Sequence, residues 1–174
     1  MASIGKQAII FTGPVGSGKS TTAKALAEHL ENNDISCALI DMDALSWFHP
    51  TPSDDPFGSE VGFRHLRLMT DTYRAMGIPL LILADVIEIS ADNHQQAMPD
   101  YRVLTVRLDV AFDRLEDRLR AREPEAQVPW HLNRAKELQA IMVRNGVGDI
   151  VQRVEDESPE EIANEMARRL DLIK

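Results

Sequence analysis

Apolar and polar positions follow two alternating periods along this chain. Short, mostly apolar runs recur at Gln7–Thr12, Cys37–Ile40, Ile78–Val86 and Val103–Leu108, and Ile150–Arg153 reads as a short last strand. Runs this short without a wet face predict strands covered on both sides. Between them the spacing becomes helical. Ala23, Leu26, Ala27 and Leu30 predict a helix over Thr21–Leu30. Phe63, Leu66, Met69, Tyr73 and Met76 predict another over Ser59–Met76, with those side chains facing inward. Ala111–Arg122 and His131–Arg144 supply two more, and Ser158-Pro159-Glu160-Glu161 opens a last one with a capping box and a first-turn proline. Strands alternating with helices require a mostly parallel sheet joined by right-handed crossovers, which predicts a three-layer α/β fold.

The interruptions are as regular as the elements. Asn32-Asn33-Asp34 stops the first helix, and Cys37–Ile40 ends at Asp41. Pro50, Pro52 and Pro56 forbid regular structure, so residues 44–57 are expected as an irregular loop. Pro124 and Pro129 break the helical pattern again, predicting a short mobile lid at about 122–134. A length of 174 residues fits one domain over residues 1–174.

Composition narrows the classes of partner. The net charge of −9 argues against a general nucleic-acid surface, which needs a basic face. Cys37 is the single cysteine, which excludes internal disulfides and thiolate metal clusters. Within an apolar run it reads as an inert thiol. No run approaches the roughly 20 residues of a membrane span, and the expected location is cytoplasmic, without membrane association.

Chemistry enters at residues 13–20, Gly-Pro-Val-Gly-Ser-Gly-Lys-Ser, which match the P-loop pattern G-x-x-x-x-G-K-[ST] at every fixed position. An apolar run precedes the match and a helical pattern follows it, which is the context the motif needs. Gly13, Pro14, Val15, Gly16, Ser17, Gly18, Lys19, Ser20 and Thr21 are therefore the expected triphosphate cradle. Consecutive amides point at the anion, helped by the positive end of the following helix. Lys19 would reach the β- and γ-phosphates, and the Ser20 hydroxyl would ligate Mg²⁺.

Four further groups carry potential chemistry. Asp41 and Asp43 follow the second strand, where an extended chain would splay the two carboxylates to opposite sides. Asp85 ends the most apolar run and resembles a Walker B aspartate at Mg²⁺. Val86 follows it rather than a water-activating glutamate, which disfavours a pure ATPase, although Glu88 lies nearby in sequence. Arg118 and Arg122 stand at helical i,i+4 spacing, suited to adenine stacking and to clamping a transferring phosphate. Arg64 and Arg67, just after the irregular loop, are candidate contacts for an acceptor, with Trp47, Phe48, His49 and Phe57 flanking the same region.

Together these residues resemble the small P-loop kinases, a group that includes the adenylylsulfate, shikimate, gluconate, nucleotide and chloramphenicol kinases. The resemblance spans nearly the whole chain and is strongest over residues 9–43, in the segment GPVGSGKSTTAKALAEHLENNDISCALIDMD. It implies a five-stranded parallel sheet in the order 2-3-1-4-5. By the shikimate-kinase pattern it implies Asp41 toward Mg²⁺ and Asp43 toward the acceptor, or the reverse. LDVAFDRLEDRLRAR resembles the strand-to-lid passage of nucleotide kinases, implying Arg118 on adenine and Arg122 on the phosphates. The acceptor side departs from every named member: Ala44-Leu45-Ser46-Trp47 replaces the adenylylsulfate continuation, and the shikimate-type Arg-Pro lid is missing. No N-K-x-D sequence is present, which favours ATP over GTP.

The expected function is an ATP- and Mg²⁺-dependent phosphotransferase acting on a hydroxyl of a small molecule, with Lys19, Asp43 and Arg122 catalytic. Ser20, Asp41 and Asp85 are the expected metal-side residues, and the protein is expected as a monomer or homodimer. The alternative is a nucleotide-binding regulator without a small-molecule acceptor. A kinase for nucleic-acid ends is disfavoured by the acidic charge.

Overall fold

The computed structural model describes residues 5–173. Five strands form one parallel sheet: β1 (Gln7–Thr12), β2 (Cys37–Asp41), β3 (Leu80–Ala84), β4 (Arg102–Val110) and β5 (Ile150–Val154). Their spatial order is β2-β3-β1-β4-β5, as the resemblance implied. Seven helices complete the described chain: α1 (Lys19–Asn32), α2 (Met42–Ser46), α3 (Ser59–Ala75), α4 (Asp92–Ala97), α5 (Phe112–Arg122), α6 (Val128–Arg144) and α7 (Pro159–Arg169). Among the described residues no helix is long and apolar enough to cross a membrane.

The period-2 geometry of β1 sends Ile9 and Phe11 to one face of the sheet and Ala8 and Ile10 to the other, all fully buried. On the first face they meet Leu26 and Leu30 of α1, Leu119 of α5 and Met166 of α7. On the second they meet Leu66 of α3 and Leu138 and Met142 of α6. β3 is buried at every position, which explains its unbroken apolar sequence. α7 starts where its sequence says: Ser158 Oγ accepts the Glu161 amide at 3.2 Å, and Glu161 returns a carboxylate oxygen to the Ser158 amide at 2.8 Å. Such a cap is worth about 1 kcal/mol.

Several expectations are corrected. The chain does not stay extended after β2: Asp41 caps the short helix α2, accepting the Asp43 amide at 3.0 Å. The expected loop at 44–57 therefore begins inside a helix, and irregular structure starts at Trp47. Met76 lies past the end of α3 and is exposed, and Gly77, at φ 77°, follows it in the turn that leads to β3. Pro129 does not break α6 but sits in its first turn, where a missing N–H costs nothing. Of the residues 122–134 expected as a lid, those at 128–134 belong to α6, and residues 123–127 form a turn closed by the Gln127 amide on the Pro124 carbonyl at 2.8 Å. Helix α4 has no counterpart among the expected elements.

Register brings the site together. Phe11 pairs with Ala84 and Asp41 with Ala84, so β1, β2 and β3 end level at their carboxyl edge. Two bonds lock β1 to the segment after β3: the Asp85 amide donates to the Phe11 carbonyl at 3.1 Å, and the Ile87 amide to Thr12 Oγ1 at 2.9 Å. In open α/β sheets this edge is where ligands gather.

Candidate functional site

The loop from Gly13 to Gly18 links β1 to α1 and needs its glycines for different reasons. A Cβ on Gly13 would stand 2.7 Å from Ser17 Oγ and 2.9 Å from the Leu108 carbonyl, so backbone and side chain close in on it. Gly18, at φ 95°, turns the chain into α1 in a conformation that a side chain resists. The Ser17 amide donates to the Pro14 carbonyl at 3.2 Å. Lys19 Nζ lies folded over the loop, donating to the same carbonyl at 3.2 Å. The Ser17 hydroxyl is buried without a hydrogen-bond partner.

Lys19 stands in a cleft of about 460 Å³ whose walls come from distant parts of the chain. Gly16, Gly18, Ser20, Thr21, Asp43, Asp85 and Arg122 line it around the Lys19 ammonium. Burial lowers the Lys19 pKa from its ordinary value, opposed by the carboxylates of Asp43 and Asp85 and reinforced by Arg122. Asp43 is shifted the opposite way: burial and then the neighbouring Asp41 raise its pKa, against the pull of Lys19. An ammonium facing two carboxylates beside an amide-lined loop is a receptor for a polyanion and a cation together.

Asp85 is held more tightly than its sequence suggested. Its Oδ1 accepts the Val86 amide at 2.7 Å, and its Oδ2 lies 2.6 Å from His94 Nε2 on α4. Bonding to the carboxylate assigns the proton to Nε2. Phe63 of α3 packs edge-on against the His94 ring, with centroids 4.9 Å apart. His94 Nδ1 is buried without a partner.

A second depression of about 370 Å³ is lined by Gly16, Thr22, Arg118, Glu157, Pro159 and Ile162, among others. Arg118 reaches the loop itself, its Nη1 lying 3.3 Å from the Gly16 carbonyl and 3.4 Å from that of Ser17. Arg122 borders both spaces. Its guanidinium is engaged by Glu123 at 2.5 Å, and Glu123 also meets His131 Nε2 at 3.4 Å.

The other half of the main cleft is built by residues from the 47–58 loop and α6: Phe57, Trp130, His131, Arg134 and Leu138, with Ser46, Ser59 and Glu88. Arg134 bonds Glu88 and, at 2.8 Å, Glu137, and lies 5.8 Å from the Phe57 ring centroid.

Of the sequence-derived candidates, the structure gathers Val15, Gly16, Gly18, Lys19, Ser20, Thr21, Asp43, Asp85 and Arg122 around one cleft, while Gly13, Pro14 and Ser17 of the loop do not line it and Arg118 lines the second depression instead. Asp41 does not line the cleft, because its carboxylate caps α2. Arg64 and Arg67 do not line it either. They face an open depression across α3, where Arg64 pairs with Glu60 at 2.5 Å, and Arg67 pairs with Asp71 at 3.6 Å and donates to the Gln96 carbonyl at 3.2 Å. Trp47 is 83% exposed and also outside the cleft. His94 and Arg134 went unrecognised. The signal for His94 was the Ser90–Pro99 stretch, where an acidic start and a following proline mark a short helix; nothing local marks Arg134.

Comparison with known proteins agrees with this geometry at the level of fold. The model of the family described as chromatin associated protein KTI12 matches residues 8–70, which carry the loop, β2 and most of α3. No curated protein sequence matches the chain. Solved structures do. Shikimate kinase from Bacteroides thetaiotaomicron superposes with a TM-score of 0.65 at 18% identity, covering 95% of this chain and 98% of that one. The Deinococcus radiodurans tunicamycin resistance protein gives 0.61 at 19% identity, covering 95% of each chain. The Mycobacterium tuberculosis APS kinase CysC, solved with AMPPNP and APS, gives 0.55 at 22%, covering 95% and 98%. The chain has the three-layer α/β fold of the small P-loop kinases.

Proposed function

We propose that this protein transfers the γ-phosphoryl group of ATP to a hydroxyl of a small molecule. One observation carries the reading: Asp43, Lys19 and Arg122 face a single cleft that continues past the phosphate loop into an aromatic-walled space. A hydrolase needs no room there beyond a water. In this reading the triphosphate lies on the Gly13–Gly18 amides, and the depression beside Arg118 takes the nucleoside end. Lys19 moves from the Pro14 carbonyl to the phosphates, a better partner for an ammonium. Arg122 exchanges Glu123 for the transferring group. Asp43 accepts the acceptor's hydroxyl proton as that oxygen bonds to the γ-phosphorus, while the bond to the β–γ bridging oxygen breaks and ADP leaves.

The residues present suit a divalent cation. Ser20 and Asp85 line the cleft with Lys19, and three-carboxylate clusters are not required where phosphates supply most of the ligands. Bound there, Mg²⁺ would supply charge neutralisation for the phosphates. Asp85 would hold it with His94 fixing the carboxylate, while Asp41 would contribute through its charge and through the α2 cap.

The test is an ATP-consumption screen over sugars, nucleosides, antibiotics and hydroxy acids, with Lys19→Ala as control and mass spectrometry for phosphorylated product. Acceptor-independent hydrolysis with no phosphorylated product in any well would sink the reading. The family-model match over residues 8–70 supports a second one, a nucleotide-dependent regulator whose output is a conformation. That outcome would leave the Phe57–Trp130 half of the cleft without a small-molecule role.

A further inference from the structure

The charge balance of the acceptor half points to the kind of molecule it takes. Among the described residues lining the cleft, the lysine and arginine side chains are Lys19, Arg122 and Arg134. Lys19 lies on the loop and serves the phosphates, as does Arg122 beside it. Arg134 alone faces the outer half, and it is already satisfied by two carboxylates, Glu88 within the cleft and Glu137 on the next turn of α6. With Asp43 and Glu88 in the same lining, an entering carboxylate or phosphate would meet negative charge, and the Arg134 guanidinium is already engaged. Burying an anion under those conditions leaves its desolvation uncompensated. The arginines that would suit an anion, Arg64 and Arg67, lie across α3 in a different depression.

The apolar part of the lining is equally specific. Phe57 and Trp130 come from the 47–58 loop and from the first turn of α6, yet line the same space while remaining 60% and 55% exposed. Large rings rarely converge on water from two separate elements without a ligand face to cover them. Arg134 is fixed by its two carboxylates and by the Phe57 ring, which holds one aromatic wall in place.

Resting on the phosphotransferase reading of this cleft, we infer that the acceptor is an uncharged or cationic hydroxyl compound with a flat apolar face, and that anionic acceptors are rejected. Glu88 is then the specificity-determining residue. It neutralises Arg134 and turns its own remaining acceptor capacity toward hydroxyl or amino groups.

Matched probes test this with Mg²⁺ and a nonhydrolysable ATP analogue present throughout. Phenyl β-glucoside against phenyl β-glucuronide, and thymidine against thymidine monophosphate, differ in charge within each pair; methyl β-glucoside lacks the flat ring. Affinities are read by titration calorimetry and saturation-transfer NMR. The expected result is an uncharged member bound at least about tenfold tighter than its anionic partner, and a phenyl glycoside tighter than the methyl one. Glu88→Gln should narrow the charge discrimination about tenfold while leaving nucleotide affinity unchanged. Anions bound as tightly as their uncharged partners, no uncharged probe bound, or discrimination untouched by Glu88→Gln would each overturn the inference. Product formation with ATP is scored separately. Selective binding of uncharged probes without any transferred phosphate would leave the ligand class standing and remove the kinase reading.

Discussion

Replacing His94 by phenylalanine separates a positioning role from a structural one, because the opposing stability terms can be set out from the geometry. The substitution removes the 2.6 Å bond to Asp85 Oδ2, a charge-assisted bond worth roughly 1.5–3 kcal/mol. It also removes a buried Nδ1 that has no partner, whose desolvation costs about 1–3 kcal/mol in the native protein. A phenyl ring fills nearly the same volume and keeps the edge-on contact with Phe63. The terms offset, so the stability change should stay within about 1 kcal/mol. Asp85, left with the Val86 amide and solvent, loses its fixed orientation. Turnover and apparent Mg²⁺ affinity should then fall about 10- to 100-fold, the usual consequence of losing such an outer partner. Urea denaturation measures the first quantity; initial rates across a Mg²⁺ titration measure the second. A stability loss above about 3 kcal/mol, or turnover within twofold of the parent protein, would refute the assignment.

Other expectations follow from the same structure. Lys19→Ala should lower ATP turnover by about three orders of magnitude or more, read by product formation at saturating nucleotide. Asp43→Asn should reduce kcat about 10²- to 10⁴-fold while nucleotide affinity, measured by calorimetry, changes by less than about threefold. Gly13→Ala should destabilise the protein by about 3 kcal/mol in chemical denaturation, since its Cβ meets Ser17 Oγ at 2.7 Å and the Leu108 carbonyl at 2.9 Å. Cys37 gives a pH-dependent readout: burial, and then Glu31, raise its thiol pKa. The fold therefore favours the neutral thiol, a stabilisation present at low pH and lost as pH rises through the folded pKa. Alkylation should accordingly begin at higher pH than for a free thiol, and Glu31→Gln should move that onset down.

What could be read from the chain depended on how local the determining physics was. The cradle was legible because strand, glycine loop and helix follow one another, with Lys19 and Ser20 fixed by spacing alone. The alternation of elements implied the layered sheet, and the capping box at Ser158 placed α7. Failures came where one residue satisfies two local rules. Asp41 can end a strand or cap a helix, and the amide of Asp43 decided for the cap. Pro129 can break a helix or begin one. His94 sits on a six-residue helix too short to show periodicity, and its partner is set by tertiary packing. Arg64 and Arg67 were drawn to the site by nearness in sequence, but α3 turns them toward Glu60, Asp71 and Gln96.

The two halves of the cleft also differ in how the backbone closes them. The phosphate cradle is one contiguous stretch, so a bound nucleotide would slow amide hydrogen exchange mainly over residues 13–22 and the elements touching them. Phe57 and Trp130 instead belong to segments that no strand pairing joins directly. A molecule seated between them would act as a staple, coupling the openings of the 47–58 loop and the start of α6. Exchange protection appearing in those two remote segments at once would therefore map acceptor occupancy, even before any product is made.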